Sequence, residues 1–317
     1  MHNLSVPRNP VALGTCSGLG AILLWSATFA FARSLSEQVG PLTGGAAAYL
    51  IGGFLCLLSL ASSAPFTRFL QLPRLYLFGC GSLFVFYTSA VYLAVGLARS
   101  REQLLEIALV NYLWPALTVL CSLLFLKQRA SLWLLPGTAV ALAGIFLVMT
   151  QGRSVSWDSM RAHIQTNPLA YALGLAAAIS WALYSNLTRR WSGPDGGGAV
   201  ELFIPATGLV LLALRLLTRE PTHWNLRAVA EASALAVVTT LAYFLWDVSM
   251  RKGNLLLVVA CSYFTPLFST LVSCAYLGVS PGTKLWIGCL LLVSGSLITW
   301  RSVSAARLQP TPEACLT

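Results

Sequence analysis

Residues Leu75–Ala98 read LYLFGCGSLFVFYTSAVYLAVGLA, 24 residues without a charge. At a rise of 1.5 Å per residue, about 20 such residues make a helix long enough to cross a bilayer. The same signature recurs on both sides of this stretch. Ala12–Ala32, Leu42–Phe66, Ile107–Leu126, Ala130–Gln151, Pro168–Thr188, Asn254–Thr283 and Leu285–Trp300 are also free of charge. Two shorter apolar stretches, Leu202–Leu214 and Ala232–Trp246, are flanked by charges. The pattern predicts an all-α integral membrane protein with ten transmembrane helices. Their expected spans are Ala12–Ser34, Leu42–Ser63, Arg74–Ala98, Glu102–Leu126, Leu132–Thr150, Pro168–Arg189, Ala199–Thr218, Arg227–Met250, Asn254–Leu277 and Lys284–Arg301.

Composition agrees. The chain has 317 residues, of which 57% are hydrophobic and only 9% charged, against roughly 25% charged in soluble domains. Ten helices use nearly the whole length, so any site must be built from membrane helices. The longest expected loop, Gly152 to Asn167, is too short to fold alone. The first apolar span runs past a signal-peptide h-region and is read as a retained helix.

The net charge is +10. The basic residues gather at helix ends: Arg68 and Arg74, Lys127 and Arg129, Arg189 and Arg190, Arg251 and Lys252, Arg301 and Arg307. That placement suits interfacial anchors and lacks the basic stripe of a nucleic-acid binder. With both termini cytoplasmic, eleven of the twenty Lys and Arg fall inside, a thin positive-inside bias. The eight cysteines include no Cys-x-x-Cys pair, and most lie in apolar segments as small packing residues. His2, His163 and His223 are expected in tails or loops, so no metal site or cofactor is predicted.

An internal repeat organises the spans. Asn111-Tyr112-Leu113-Trp114-Pro115 aligns with Ser262-Tyr263-Phe264-Thr265-Pro266, and the same offset pairs Tyr92 with Tyr243, Gly137 with Gly288 and Gly144 with Gly295. Two halves of five helices each follow: residues 1–152, an inter-repeat loop at 153–167, residues 168–303, and a tail at 304–317. An odd number of spans turns the second half upside down, the inverted-repeat geometry of many secondary transporters.

At its Pro-bearing helices the chain resembles the drug/metabolite transporter superfamily, in particular its ten-helix EamA-type permeases. The residues that carry the resemblance are Pro266-Leu267, Leu277-Gly278, Pro281, Trp286, Gly288 and Gly295, with a first-half copy at Pro115, Leu126, Trp133, Gly137 and Gly144. The run from Glu106 to Pro115 is similar to that of the YddG-type aromatic amino acid exporters. Many EamA-type repeats end their fourth helix with Gly-Glu; here those positions read Lys127-Gln128 and Gly278-Val279. The resemblance implies a central cavity lined by the first, third, fourth, sixth, eighth and ninth helices, alternating access, and an inner-membrane location.

Ionisable residues within membrane spans are functional candidates, and this chain has few. Asp247 lies four residues before Arg251, the spacing of a helical ion pair as well as of a substrate or proton site. Glu106 lies near the start of its helix, where an acid also suits the dipole. These three are candidates for coupling or gating. The first span lacks the acid of a small multidrug exporter, and the only nearby candidate for the cation that a phosphate carrier needs, Lys284, lies at a helix mouth. A near-neutral, aromatic-lined pocket is expected instead, formed by Trp25, Tyr87, Tyr92, Asn111, Trp181, Tyr184, Tyr243, Ser262 and Tyr263, with Pro115 and Pro266 as hinges. Aromatic rings recognise rings and ammonium groups. The expected function is export of aromatic amino acids and related metabolites. The alternatives are other neutral amino acids, other metabolites or lipophilic cationic drugs on the same fold, or a non-transporting structural membrane protein. No catalytic constellation is present, and the expected partners are a small-molecule substrate and the lipid bilayer, with neither nucleic acid nor an obligate protein partner.

Overall fold

The computed structural model describes residues 9–63, 66–150, 157–193, 197–220, 222–269, 271 and 282–307. The motif residues Leu277, Gly278, Val279 and Pro281 lie outside them. Among the described residues the helices are α1 (Pro10–Val39), α2 (Pro41–Ser63), α3 (Gly81–Leu97), α4 (Arg101–Asn111) continuing as α5 (Trp114–Phe125), α6 (Leu134–Met149), α8 (Pro168–Trp191), α9 (Val200–Leu216), α10 (Leu226–Lys252), α11 (Leu255–Ser262) resuming at 265–269, and α12 (Thr283–Arg307). A π-helical turn, Leu75–Cys80, leads into α3. The stretch expected as a loop between the halves instead holds a short polar helix, α7 (Trp157–Thr166).

Six of these segments are long and apolar enough to span a membrane: Pro41–Ala61, Leu75–Leu97, Arg101–Phe125, Pro168–Trp191, Leu226–Lys252 and Thr283–Val303. The two parts of α1, Pro10–Ser26 and Phe31–Val39, bent by 42°, make a seventh if taken together. Large apolar side chains such as Phe54, Phe78, Leu124, Leu135, Leu209 and Leu290 are exposed, as a lipid-facing surface requires. The chain is a multi-pass helical membrane protein.

Local chemistry sets the ends. Asn9, Ser100, Asn225 and Asn254 accept backbone N–H groups at the starts of α1, α4, α10 and α11, the usual N-cap role. Pro41 and Pro168 occupy first helical positions, where their missing N–H costs nothing. α1 ends at Gly40, whose φ of +88° suits glycine.

Long helices pack in antiparallel pairs. Gly14 meets Gly253 and Gly18 meets Ser249, so α1 runs against α10. Gly53 meets Pro205 and Gly208 meets Leu50, pairing α2 with α9. Ser180 donates to the Leu83 carbonyl at 2.8 Å and Asn167 to that of Leu97 at 2.8 Å, pairing α8 with α3. In α6 and α12, a Cβ on Gly144 would stand 2.8 Å from the Gly288 carbonyl oxygen, and one on Gly295 would stand 2.7 Å from that of Gly137. These glycines let two backbones touch. The largest apolar core lies between the pairs, among α1, α2, α3, α5, α8, α9, α10 and α11.

Candidate functional site

Trp181, in the middle of α8 and 1% exposed, is the hub of an aromatic cluster. Its ring centroid lies 4.5 Å from Tyr87, 5.0 Å from Tyr184, 5.7 Å from Trp25, 5.7 Å from Tyr243, 5.9 Å from Trp246, 6.2 Å from Phe84 and 6.4 Å from Trp114. Tyr184 and Trp246 stack on it, whereas Trp25 and Trp114 approach edge-on. Each such pair contributes about 0.5–1.5 kcal/mol beyond area burial. The rings come from α1, α3, α5, α8 and α10 and fill the space between them. α11 adds Leu255, Leu256, Val258 and Val259 to the same core. Of the six helices expected to line a central cavity, five contribute rings to this cluster and the sixth contributes aliphatic groups.

The cluster has a polar flank on each side. On one, Tyr49 donates to Tyr243 at 2.8 Å, and Tyr92 packs edge-on against Tyr49 at 6.1 Å. On the other, Asp247 and Arg251 form the i,i+4 ion pair at 2.8 Å. Tyr76 donates to Asp247 Oδ1 at 3.0 Å and Tyr184 to the same oxygen at 3.4 Å. The Ala199 N–H donates to Tyr76 Oη at 3.1 Å. This knot ties α10 to the π-helical turn before α3, to α8 and to the start of α9.

Both Pro-bearing helices break at the same register of the repeat. α4 ends at Asn111, and α5 begins at Trp114-Pro115; α11 ends at Ser262, and helix resumes at Thr265-Pro266. A proline removes the amide that would bond the carbonyl four residues earlier, here that of Asn111 and of Ser262. The two breaks differ in what they present. Asn111 lies beside the Tyr87 phenol, and its Oδ1 is buried without a hydrogen-bond partner. Ser262 donates to Val259 O of its own helix at 2.6 Å. Tyr263 packs with Ala141, Ile145, Leu267 and Leu292 in the core of α6 and α12. Tyr263 therefore lies outside the Trp181 cluster, packed toward α6.

Glu106 is also placed away from the rings. It is fully buried and receives a short hydrogen bond from Tyr171 of α8. His163 Nδ1 lies 3.0 Å from its Oε2, and Ser159 donates to Oε1 at 3.4 Å. His163 is thus not a loop residue: it sits on α7 and, with Ser159, fixes that helix to α4 and α8. Tyr76, Phe84 and Phe203 are cluster residues that the reading of the sequence missed. Tyr76, Cys80, Phe84 and Tyr87 recur at three- and four-residue spacing, the signal of one helical face.

The sequence matches the EamA-like transporter family over residues 12–150 and again over 168–301. Among characterised proteins, the aromatic amino acid exporter YddG of Escherichia coli K12 is 32% identical over 287 residues, covering 90% of this chain and 96% of the exporter. The YddG proteins of Salmonella typhimurium and Ancylobacter novellus are each 31% identical, with the same coverage. A protein of known crystal structure superposes with a TM-score of 0.74 at 27% identity, covering 93% of this chain and 98% of the other.

Proposed function

The chain belongs to the EamA-like transporter family, and we propose that it exports aromatic amino acids and related small metabolites through the Trp181 cluster. The observation that carries this reading is the convergence of seven rings from five elements on one buried tryptophan. An aromatic side chain entering between them exchanges protein ring contacts for its own. The unpaired Asn111 Oδ1 at the helix break offers an acceptor for an ammonium or ring N–H. The relatives named as aromatic amino acid exporters agree with this chemistry.

The mechanism we infer is alternating access by two inverted halves of five spans each in a bacterial inner membrane, with both termini cytoplasmic. Support comes from the antiparallel α6–α12 contact. Exchanging Gly137 for Gly288 and Gly144 for Gly295 converts one of its two glycine contacts into the other, as a two-fold axis in the membrane plane demands. The Pro115 and Pro266 breaks are the equivalent hinges of the two halves. Substrate release in turn requires the polar flanks of the cluster to open one at a time.

The test is counterflow into liposomes that contain only this protein, loaded with unlabelled amino acid and given labelled Trp, Phe, Leu or Lys outside. Accumulation of Trp and Phe with little Lys is expected. Equal accumulation of Leu and Trp would replace the aromatic specificity by a general neutral one, and no accumulation by folded protein would overturn the reading.

A further inference from the structure

We propose that Asp247 and Arg251 form the subsite for the zwitterionic head of the substrate, the ion pair opening to receive one ammonium and one carboxylate. The proposal rests on the reading of the Trp181 cluster as an aromatic amino acid site and adds to it the recognition of the charged end. Among the described residues, Glu106 and Asp247 are the two buried acids. Glu106 is committed to Tyr171 and α7, which leaves Asp247 as the buried acid beside the rings. The Asp247 and Arg251 side chains are 2% and 8% exposed.

Position argues for the role. Trp246 precedes Asp247 and stacks on Trp181, and Tyr184 both stacks on Trp181 and donates to Asp247. Asp247 lies one helical turn beyond Tyr243, about 6 Å along α10, the reach of an aromatic amino acid from its ring to its charged head. Gly198 presents no side chain to the pair; a Cβ there would stand 2.5 Å from Asp247 Oδ2.

Charge conservation supplies the physical reason. A buried charge is tolerated only when paired. An amino acid carries one charge of each sign, so its carboxylate can take the Arg251 guanidinium while its ammonium takes the Asp247 carboxylate. Each buried charge then has a partner in both the empty and the loaded state. A ligand with only one charged group breaks the ion pair and replaces only one of its two charges, so it binds more weakly. Because Asp247 also holds Tyr76, and through it Ala199, loading the pair loosens the knot that closes this flank.

The experiment is competition against labelled L-tryptophan counterflow by three probes: L-tryptophan, tryptamine, which lacks the carboxylate, and indole-3-propionate, which lacks the ammonium. The wild type is expected to prefer L-tryptophan over either analogue by about tenfold or more, since a site built for a polar group rejects the ligand lacking it. Arg251→Gln should lower the preference over tryptamine by about tenfold, and Asp247→Asn that over indole-3-propionate, relative to the wild type. Should either single variant fail to fold, Asp247→Asn/Arg251→Gln, which leaves no lone buried charge, should bring both ratios close to one. A wild type that accepts all three probes equally, or variants that keep the wild-type ratios while folded, would overturn the assignment without touching the aromatic site. A wild type that transports no tryptophan would overturn both.

Discussion

Lys127 stands just past the end of α5 with φ of +52°, in the left-handed region. A side chain is strained there, and EamA-type repeats commonly place glycine at this turn. Lys127→Gly is expected to stabilise the protein by about 1 kcal/mol, read as a higher melting temperature in detergent with unchanged transport. A fall in melting temperature would mean that the lysine makes compensating contacts. Other single residues were legible to different degrees. Trp181 stood out in the sequence as an aromatic group deep in a charge-free span, and the Asp247–Arg251 spacing announced its ion pair. Tyr76 and Phe84 did not stand out, because tyrosine and phenylalanine are ordinary in membrane segments and only their shared helical face marks them. Nothing local joins Glu106 to His163, which are 57 positions apart. Their pairing depends on α7 folding back over α4.

Glycines bring the backbones of α6 and α12 close together. On α6, Gly144 faces the backbone of α12 at Gly288 and Leu292. Gly144→Leu is expected to separate the two helices and sharply reduce the yield of monodisperse protein in size-exclusion chromatography. Gly197→Ala, where a Cβ meets nothing within 4 Å, is expected to leave that yield unchanged. Equal yields for both variants would argue that α6–α12 packing does not hold the fold. The sequence showed these glycines through the repeat, and hydropathy located the helices within a few residues. It stopped α1 at Ser34, whereas the helix continues to Val39. Arg33 and Glu37 form an i,i+4 ion pair that carries the helix past its apolar stretch. α7 escaped notice because a short polar helix leaves no trace in hydropathy; it is held by Glu106 and by Met160, which packs against Ile107 and Tyr171. At the start of α2, Glu220 accepts the N–H groups of Leu42 and Thr43 at 2.9 Å each. That cap is supplied from outside the helix and has no sequence signature next to it.

At the scale of the molecule, antiparallel helix pairs enclose an aromatic centre, and two proline breaks fall at matching places in the two halves. The proposed function rests on where the rings converge. The most direct test is L-tryptophan counterflow by Trp181→Ala compared with Trp286→Ala, a tryptophan that is 56% exposed on α12, each reconstituted from monodisperse protein. Loss of at least about tenfold in tryptophan counterflow for Trp181→Ala, with Trp286→Ala close to wild type, is the predicted result. Wild-type counterflow by folded Trp181→Ala would contradict the account and move the substrate site away from the aromatic cluster.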